Sequence, residues 1–168
     1  AGIRIMMITG DNALTATAIA KEVGIYIEGD SVLSGPEISE LDDKSLKEKL
    51  LDTSVWARML PEHKYRIVKL LQESGEIVAV TGDGANDVPA LKAADLGIAM
   101  GSGAEAAKAT ANMILLNNDL AVIIEAIKQG RIIADNIRKS IYFLVSTSID
   151  EIILISGAIL MGYPLPLY

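Results

Sequence analysis

The segment best suited to chemistry lies at residues 80–87 and reads Val-Thr-Gly-Asp-Gly-Ala-Asn-Asp. It follows an apolar run and precedes residues 88–94, whose pattern predicts a helix. The junction between a strand and the following helix is the ligand-binding edge of an open α/β sheet. Its two glycines permit a sharp turn, and the carboxylates of Asp83 and Asp87 suit a hard cation such as Mg²⁺. The alternative is a surface turn that only caps a helix.

The overall composition narrows the classes of function. The 168 residues allow one ordinary domain and a little more. The chain has no cysteine, which excludes a disulfide framework and a thiolate metal site. Its net charge of −7 and its aromatic content of 4% argue against a basic, base-stacking surface for nucleic acid.

The elements that would position the 80–87 segment alternate between strands and helices. Apolar runs predict strands at 3–8, 32–33, 55–60, 77–80, 96–100 and 113–116. Helical patterns occupy 13–23, 37–51, 61–72 and 88–94, with a short Ala-rich helix before the last strand. This alternation predicts an α/β fold with a parallel sheet, right-handed crossovers and flanking helices. We expect the 37–51 helix to be solvated and residues 101–103 to form a simple turn.

A long apolar run occupies residues 141–161, and its 21 residues are enough to cross a bilayer of about 30 Å. The helical pattern begins near residue 120 and continues into this run, whose place late in the chain argues against a signal peptide. Four basic residues precede it: Lys128, Arg131, Arg138 and Lys139. The positive-inside rule therefore predicts that residues 1–140 are cytoplasmic.

Two carboxylates, those of Asp150 and Glu151, lie in the middle of the apolar run. If charged, they would together cost about 5–7 kcal/mol, which cancels the roughly 5 kcal/mol gained from the apolar side chains. We therefore expect partner helices, a bound cation or protonation to compensate for them. The alternative is an amphipathic helix buried in a soluble protein.

Four strings in the chain resemble P-type cation-transporting ATPases, and more narrowly the calcium-pump-like and related bacterial members. They are ITGDN at 8–12, ARMLPEHK at 57–64, TGDGANDVPALKAADLGIAMG at 81–101 and DNIRKSIYFLVSTSIDE at 135–151. The resemblance covers nearly the whole chain in the family's order. It implies a haloacid dehalogenase-like fold, incomplete here, followed by a long stalk and transmembrane helix.

The resemblance also implies a division of the chain into four parts. Residues 1–120 would form part of the phosphorylation domain, and residues 121–140 would form the stalk helix. Residues 141–161 would be the fifth transmembrane helix, and residues 162–168 would begin a truncated extracytoplasmic loop. The protein would lie in a membrane, which in a bacterium would be the plasma membrane.

Phosphoryl transfer requires positive charge and hydrogen-bond donors around the phosphate. By resemblance, Asp83 binds Mg²⁺, Asp87 maintains the polar network of the site, and Lys64 directs its charge to the phosphoryl oxygens. Thr9 completes the implied catalytic set. Lys64 could instead be a solvated helix lysine, and we expect the neighbouring His63 to be a solvated first-turn residue.

The other implied site residues bind phosphate or nucleotide. Thr9 and the Gly10 amide would contact phosphoryl oxygens, and Asn86 would add amide donors. Asp11 and Arg58 resemble positions close to bound ATP. The Thr-Gly-Asp loop could instead only cap a helix, and the arginine could pair with a surface acid.

In the apolar run, Glu151 matches the family's cation-binding glutamate. Ser148 lies three residues earlier, on nearly the same face of a helix, and would also bind the transported cation. Ser148 and Asp150 stand where calcium pumps usually carry an amide and a glycine. The identity of the transported cation therefore stays open.

Two strings of the family do not occur in this chain: the DKTGT string with the nucleophilic aspartate, and the actuator domain's TGE loop. Because the nucleophile's strand normally lies inside the sheet, we expect an open gap or a rearranged edge. We expect a fragment of an ATP-driven cation pump that holds half of the phosphorylation site and is inactive alone. Its partners would be ATP, Mg²⁺, a transported cation, the lipid bilayer and the rest of the pump, but no nucleic acid.

Two other functions remain open. One is a soluble haloacid dehalogenase-like phosphatase, against which the missing nucleophile and the apolar run both count. The other is a non-catalytic, membrane-tethered module that associates with a pump. The sequence does not distinguish a fragment of a longer chain from a genuine short product.

Overall fold

The computed structural model of the protein describes residues 2–164. The chain divides into two compact units, Ala1–Asp119 and Leu120–Tyr168. The strands of the first unit are β1 Met7–Ile8, β2 Ser31–Ser34, β3 Thr53–Ala57, β4 Ala79–Gly82, β5 Leu96–Met100 and β6 Met113–Leu115. Its helices are α1 Ala13–Glu22, α2 Gly35–Glu40, α3 Asp43–Asp52, α4 Pro61–Glu73, α5 Val88–Ala93 and α6 Glu105–Thr110.

All strand pairs of the first unit are parallel, as the alternation of strands and helices predicts. They form two three-stranded sheets, in the orders β1-β3-β2 and β4-β5-β6, instead of one continuous sheet. β1 and β4 therefore each have a single neighbouring strand. β1 is also shorter than the predicted 3–8 strand, since a second neighbour is absent and Ile3 and Ile5 remain 54% and 63% exposed.

The predicted solvated helix over 37–51 is wrong in two respects. The segment forms two helices, α2 and α3, because Leu41 is extended and Asp42 begins a new helix by accepting a hydrogen bond from the Ser45 N–H at 2.9 Å. The two helices also cover the core, since their apolar side chains recur on one face and are buried. The buried side chains are Ile38, Leu46 and Leu50.

Helix α4 packs against both sheets. Pro61 occupies its first turn, where the missing N–H costs nothing. On one face Ile67 packs in the same core as Trp56 of β3. On another face Val68 packs with Val78, just before β4, and with Ala90 of α5. The core of the first unit is therefore organised on both sides of this helix.

The side chain of Arg66 connects α4 to the segment between α2 and α3. Its guanidinium donates to the backbone carbonyls of Ile38 (2.9 Å) and Leu41 (2.7 Å). It also donates through Nε (2.8 Å) and through one terminal nitrogen (2.6 Å) to Oδ1 of Asp43. One side chain thus satisfies the carbonyls at the end of α2 and holds the start of α3.

In the second unit, residues 120–164 are described, and they contain a single helix, α7, which runs from Ala121 to Met161 without a break. The predicted continuity from residue 120 into the apolar run is thereby confirmed. By length and composition, α7 is the one helix among residues 2–164 that could cross a membrane. Gly162 ends it in the left-handed conformation, with φ of 67°. Of the predicted loop at 162–168, residues 165–168 lie outside the described residues.

We predict that replacing Arg66 by alanine lowers the free energy of unfolding by about 1–3 kcal/mol, because charge-assisted hydrogen bonds are lost and carbonyls are left unpaired. Urea unfolding can be followed through Trp56, the only tryptophan, which is fully buried. Lys69→Ala on the same helix is the control, since this exposed side chain makes a 3.4 Å hydrogen bond to Gln72 and lies 5.8 Å from the Tyr65 ring, both within α4. Equal losses in the two variants would contradict this role of Arg66.

Candidate functional site

The turn at residues 83–87 is built around the side chain of Asp87. β4 ends at Gly82, and a 3-10 turn over Ala85–Asp87 leads into α5. Asp87 is 9% exposed, and its Oδ2 accepts hydrogen bonds from the backbone N–H groups of Asp83 (3.2 Å) and Gly84 (3.1 Å). A Cβ at Gly82 would lie 2.5 Å from the Cβ of Asp87, so only glycine fits there.

The second carboxylate oxygen of Asp87 accepts a hydrogen bond from Lys64 Nζ on α4, at 2.6 Å. The two side chains are only 13% and 16% exposed. Burial raises the pKa of Asp87, but the hydrogen bonds from Lys64, Gly84 and Asp83 outweigh it and hold this pKa below 3.8. Asp87 is therefore ionised at neutral pH and fully engaged, whereas the lysine ammonium keeps two further N–H donors.

The carboxylate of Asp83 is exposed, and within residues 2–164 it forms no hydrogen bond or ion pair. The side chain of Asn86 is exposed beside it. The described residues contain no group of three or more His, Cys, Asp or Glu side chains that could hold a metal ion. This donor set does not fit an all-protein metal cage. It does fit Mg²⁺, which keeps several waters and binds through one or two carboxylates and phosphate oxygens.

A second group of predicted site residues lies at the carboxyl ends of β1 and β3. The Thr9 N–H donates to the Trp56 carbonyl (2.8 Å), and the Arg58 N–H donates to the Asp11 carbonyl (2.7 Å). The Thr9 hydroxyl oxygen accepts from the Asp11 N–H at 3.1 Å. Arg58 has a φ of 51°, in the left-handed region, and its side chain is exposed. These bonds hold the loop through Gly10 against the start of the connection to α4.

The structure thus brings the predicted site residues together in two groups. The group after β4 contains Lys64, Asp83, Asn86 and Asp87. The group after β1 and β3 contains Thr9, Gly10, Asp11 and Arg58. Across the part of the chain that the structure describes, no hydrogen bond or ion pair joins the two groups. They lie at the ends of β1 and β4, each of which is an edge strand of its own sheet.

Comparison with known proteins places this geometry in a family. Two family models, each described as haloacid dehalogenase-like hydrolase, match residues 1–95 and 64–127. The chain belongs to the haloacid dehalogenase-like family.

Within the haloacid dehalogenase-like family, the chain is similar to cation-transporting ATPases, which confirms the resemblance to P-type pumps. It is 47% identical to calcium-transporting ATPase 1 of Lactococcus lactis, over 99% of this chain and 19% of that protein. It is 46% identical to the human calcium-transporting ATPase type 2C member 1, over 99% of this chain and 18% of that protein. The chain therefore spans less than a fifth of the length of these relatives.

A solved structure shows the same similarity to cation-transporting ATPases. A zinc-transporting PIB-type ATPase in the E2.Pi state aligns with a TM-score of 0.66 and 30% identity. The alignment covers 95% of this chain and 21% of that one. The predicted haloacid dehalogenase-like fold with a long C-terminal helix is thereby confirmed.

The expectation that His63 is solvated is wrong. In this haloacid dehalogenase-like chain it is 7% exposed. Its Nδ1 accepts the Leu60 N–H (3.2 Å), and its Nε2 lies 3.0 Å from the Ser39 hydroxyl oxygen. His63 is the third residue of α4, and its side chain accepts the backbone N–H of the N-cap residue Leu60, as the third residue of a capping box does. This bond helps to fix the start of the helix that carries Lys64.

The predicted ion-path residues lie on α7. The Ser148 hydroxyl donates to the Leu144 carbonyl at 3.0 Å, which leaves its oxygen lone pairs available. Glu151 lies three residues later on nearly the same face, whereas Asp150 points about 100° away from Glu151. The liganding roles of Ser148 and Glu151 stay predictions.

We predict that Asp87→Asn lowers the free energy of unfolding by roughly 3 kcal/mol at pH 7, because it leaves the Lys64 charge without its partner. The folded-state pKa of Asp87 lies below its ordinary value of 3.8, so its contribution is fully present above that ordinary value and is lost as the pH falls from there through the folded-state pKa. The difference between wild type and variant should therefore shrink below pH 3.8.

Urea unfolding at a series of pH values measures this difference. Asp52→Asn, which makes the same charge change at an exposed position, is the control and should show little effect at any pH. A deficit for the Asp87 variant that stayed constant down to pH 2 would refute the ionised pair.

Proposed function

We propose that this chain supplies the Mg²⁺- and phosphate-binding half of the phosphorylation site of an ATP-driven cation pump, together with one helix of its ion path. The proposal extends the family membership to a function for individual residues. The single observation that carries it is the contrast between the two carboxylates of one turn. Asp87 is buried and engaged by three donors, whereas Asp83 is exposed and free.

This contrast divides two tasks between the carboxylates. Asp87 fixes the turn and holds Lys64, so that the lysine presents its remaining protons toward the same edge. Asp83 is left to bind the metal ion. Bound Mg²⁺ would neutralise charge on the transferred phosphoryl group. Asn86 would add amide donors to phosphoryl oxygens, and Lys64 would add a compact positive charge, worth roughly 4 kcal/mol at 4 Å and an effective dielectric near 20.

The loop after β1 would contribute the remaining phosphate contacts. Thr9 offers its hydroxyl and Gly10 its amide, and the bonds to β3 hold both in place. Asp11 and Arg58, exposed at the same edge, would lie near the nucleotide of ATP. No DKTGT string occurs in the 168 residues, so the nucleophilic aspartate has to come from other parts of the pump.

The helix α7 would place the protein in a membrane, with residues 1–140 on the cytoplasmic side. Ser148 and Glu151 would bind the transported cation from one face of this helix. The similar proteins include pumps named for calcium and a pump named for zinc. The aspartate at 150 differs from the glycine usual in calcium pumps, so we leave the cation itself unassigned.

We predict that the purified chain in detergent binds orthovanadate weakly, and only when Mg²⁺ is present. Asp83→Asn should weaken this binding by at least about tenfold, because it removes the one free carboxylate of the turn. The line width of the vanadium NMR signal reports the binding.

Asp52→Asn again serves as the control, because it removes one exposed negative charge away from the turn. Binding that needs no Mg²⁺, or that survives in the Asp83 variant, would show that the turn is not a metal-phosphate site.

We predict that Glu151 matters more than Asp150 for the transported cation. In a reconstituted pump that contains this helix, Glu151→Gln should weaken the cation's stimulation of phosphorylation by about tenfold or more, since a liganding carboxylate is lost. Asp150→Asn should change it less, because its side chain points to another face. A larger effect of the Asp150 variant would reverse the assignment of the two faces.

A further inference from the structure

The loop between β5 and α6 touches the backbone of Asp83. The Ala104 N–H donates to the Asp83 carbonyl at 2.7 Å. A Cβ built on Gly103 would lie 2.8 Å from that carbonyl oxygen and 3.1 Å from the Asp83 Cα. It would also lie 3.0 Å from the Met100 carbonyl oxygen, so every close neighbour is a backbone atom that cannot rotate away. The interpretation of residues 101–103 as a simple turn is therefore incomplete.

The absence of a side chain at Gly103 is a matter of space, not of backbone conformation. Gly103 is not among the residues with positive φ, so its backbone does not itself require glycine. What requires glycine is the direct contact between the loop backbone and the turn that carries Asp83. A methyl group there would have to push one of the two backbones aside.

With this contact, the backbone of Asp83 is held from both sides. Its N–H donates to Asp87 Oδ2 at 3.2 Å, and its carbonyl accepts from Ala104. The loop is itself anchored, because Lys108 Nζ donates to the Gly101 carbonyl at 3.4 Å and pairs with Glu105 at 2.5 Å. The exposed carboxylate therefore extends from a backbone that cannot shift freely.

We propose that Gly103 and Ala104 position the metal-binding carboxylate of Asp83, as residues that act through its backbone. This inference rests on the proposed function, since it concerns the same metal ion. Groups that orient a metal ligand without touching the metal affect metal affinity by about 10- to 100-fold. The loop should therefore tune Mg²⁺ affinity even though it contributes no ligand.

The test compares three variants of the 168-residue chain in detergent, with Mn²⁺ as a paramagnetic substitute for Mg²⁺. In wild type, Mn²⁺ should broaden the amide NMR signals of residues 83 and 84, and excess Mg²⁺ should reverse the broadening. Gly103→Ala should raise the Mn²⁺ concentration needed by about tenfold.

Gly97→Ala is the matched control. Its Cβ would lie 2.5 Å from the Leu91 carbonyl oxygen and 3.2 Å from the Leu91 carbonyl carbon, a comparable backbone clash in β5 and outside the loop that contacts Asp83. It should lower stability without changing the Mn²⁺ concentration needed. The urea midpoint of each variant separates loss of stability from loss of metal affinity.

Ala104→Pro provides a second route if Gly103→Ala fails to fold. Ala104 has φ of −60°, which proline adopts, so the change removes the N–H that holds the Asp83 carbonyl and places the proline ring against that oxygen. It should also weaken Mn²⁺ broadening by about tenfold. Wild-type broadening in a folded Gly103 or Ala104 variant would overturn the inference. Absence of broadening in wild type would instead overturn the metal site of the proposed function.

Discussion

The ion pair between Lys64 and Asp87 is the interaction on which the rest of the site depends. It joins α4 to the turn after β4, and the same carboxylate organises that turn by accepting two backbone N–H groups. Three donors on one largely buried carboxylate make the charged form the stable one. Because Asp87 stabilises the turn, the carboxylate of Asp83 is not needed for that purpose and can bind a ligand. The geometry of the site thus follows from how a single negative charge is satisfied.

Much of this arrangement could be predicted from local sequence. The 80–87 segment, the strand before it and the helix after it follow from apolar periodicity and from glycines next to aspartates. The unbroken α7 follows from a helical pattern with no proline until after Gly162. The resemblance places Lys64 in the same site as Asp83 and Asp87, but it does not predict the ion pair. Nothing in the spacing of the three residues shows which of the two carboxylates the lysine contacts.

The features that escaped prediction depend on contacts between distant segments. The break into two sheets depends on which strands find partners, and no strand carries that information in its own residues. Ile38, Leu46 and Leu50 belong to an acidic stretch, so their burial became visible only with α4 in place. The burial of His63 and the close packing at Gly103 escape prediction for the same reason, because each residue meets a backbone group that local patterns do not identify. Close backbone approach is a property of the fold, whereas periodicity is a property of the segment.

The two packing faces of α4 have a consequence for folding. One helix contributes side chains to the cores of both sheets, so neither core is complete without it. Detaching the helix would expose both cores at once, and the free-energy costs of the two openings cannot be separated. The first unit should therefore behave as one cooperative foldon, although its strands form two separate ladders. A destabilising change anywhere along α4 would therefore reduce the protection of backbone amides from hydrogen exchange throughout the first unit, and not only near the altered residue.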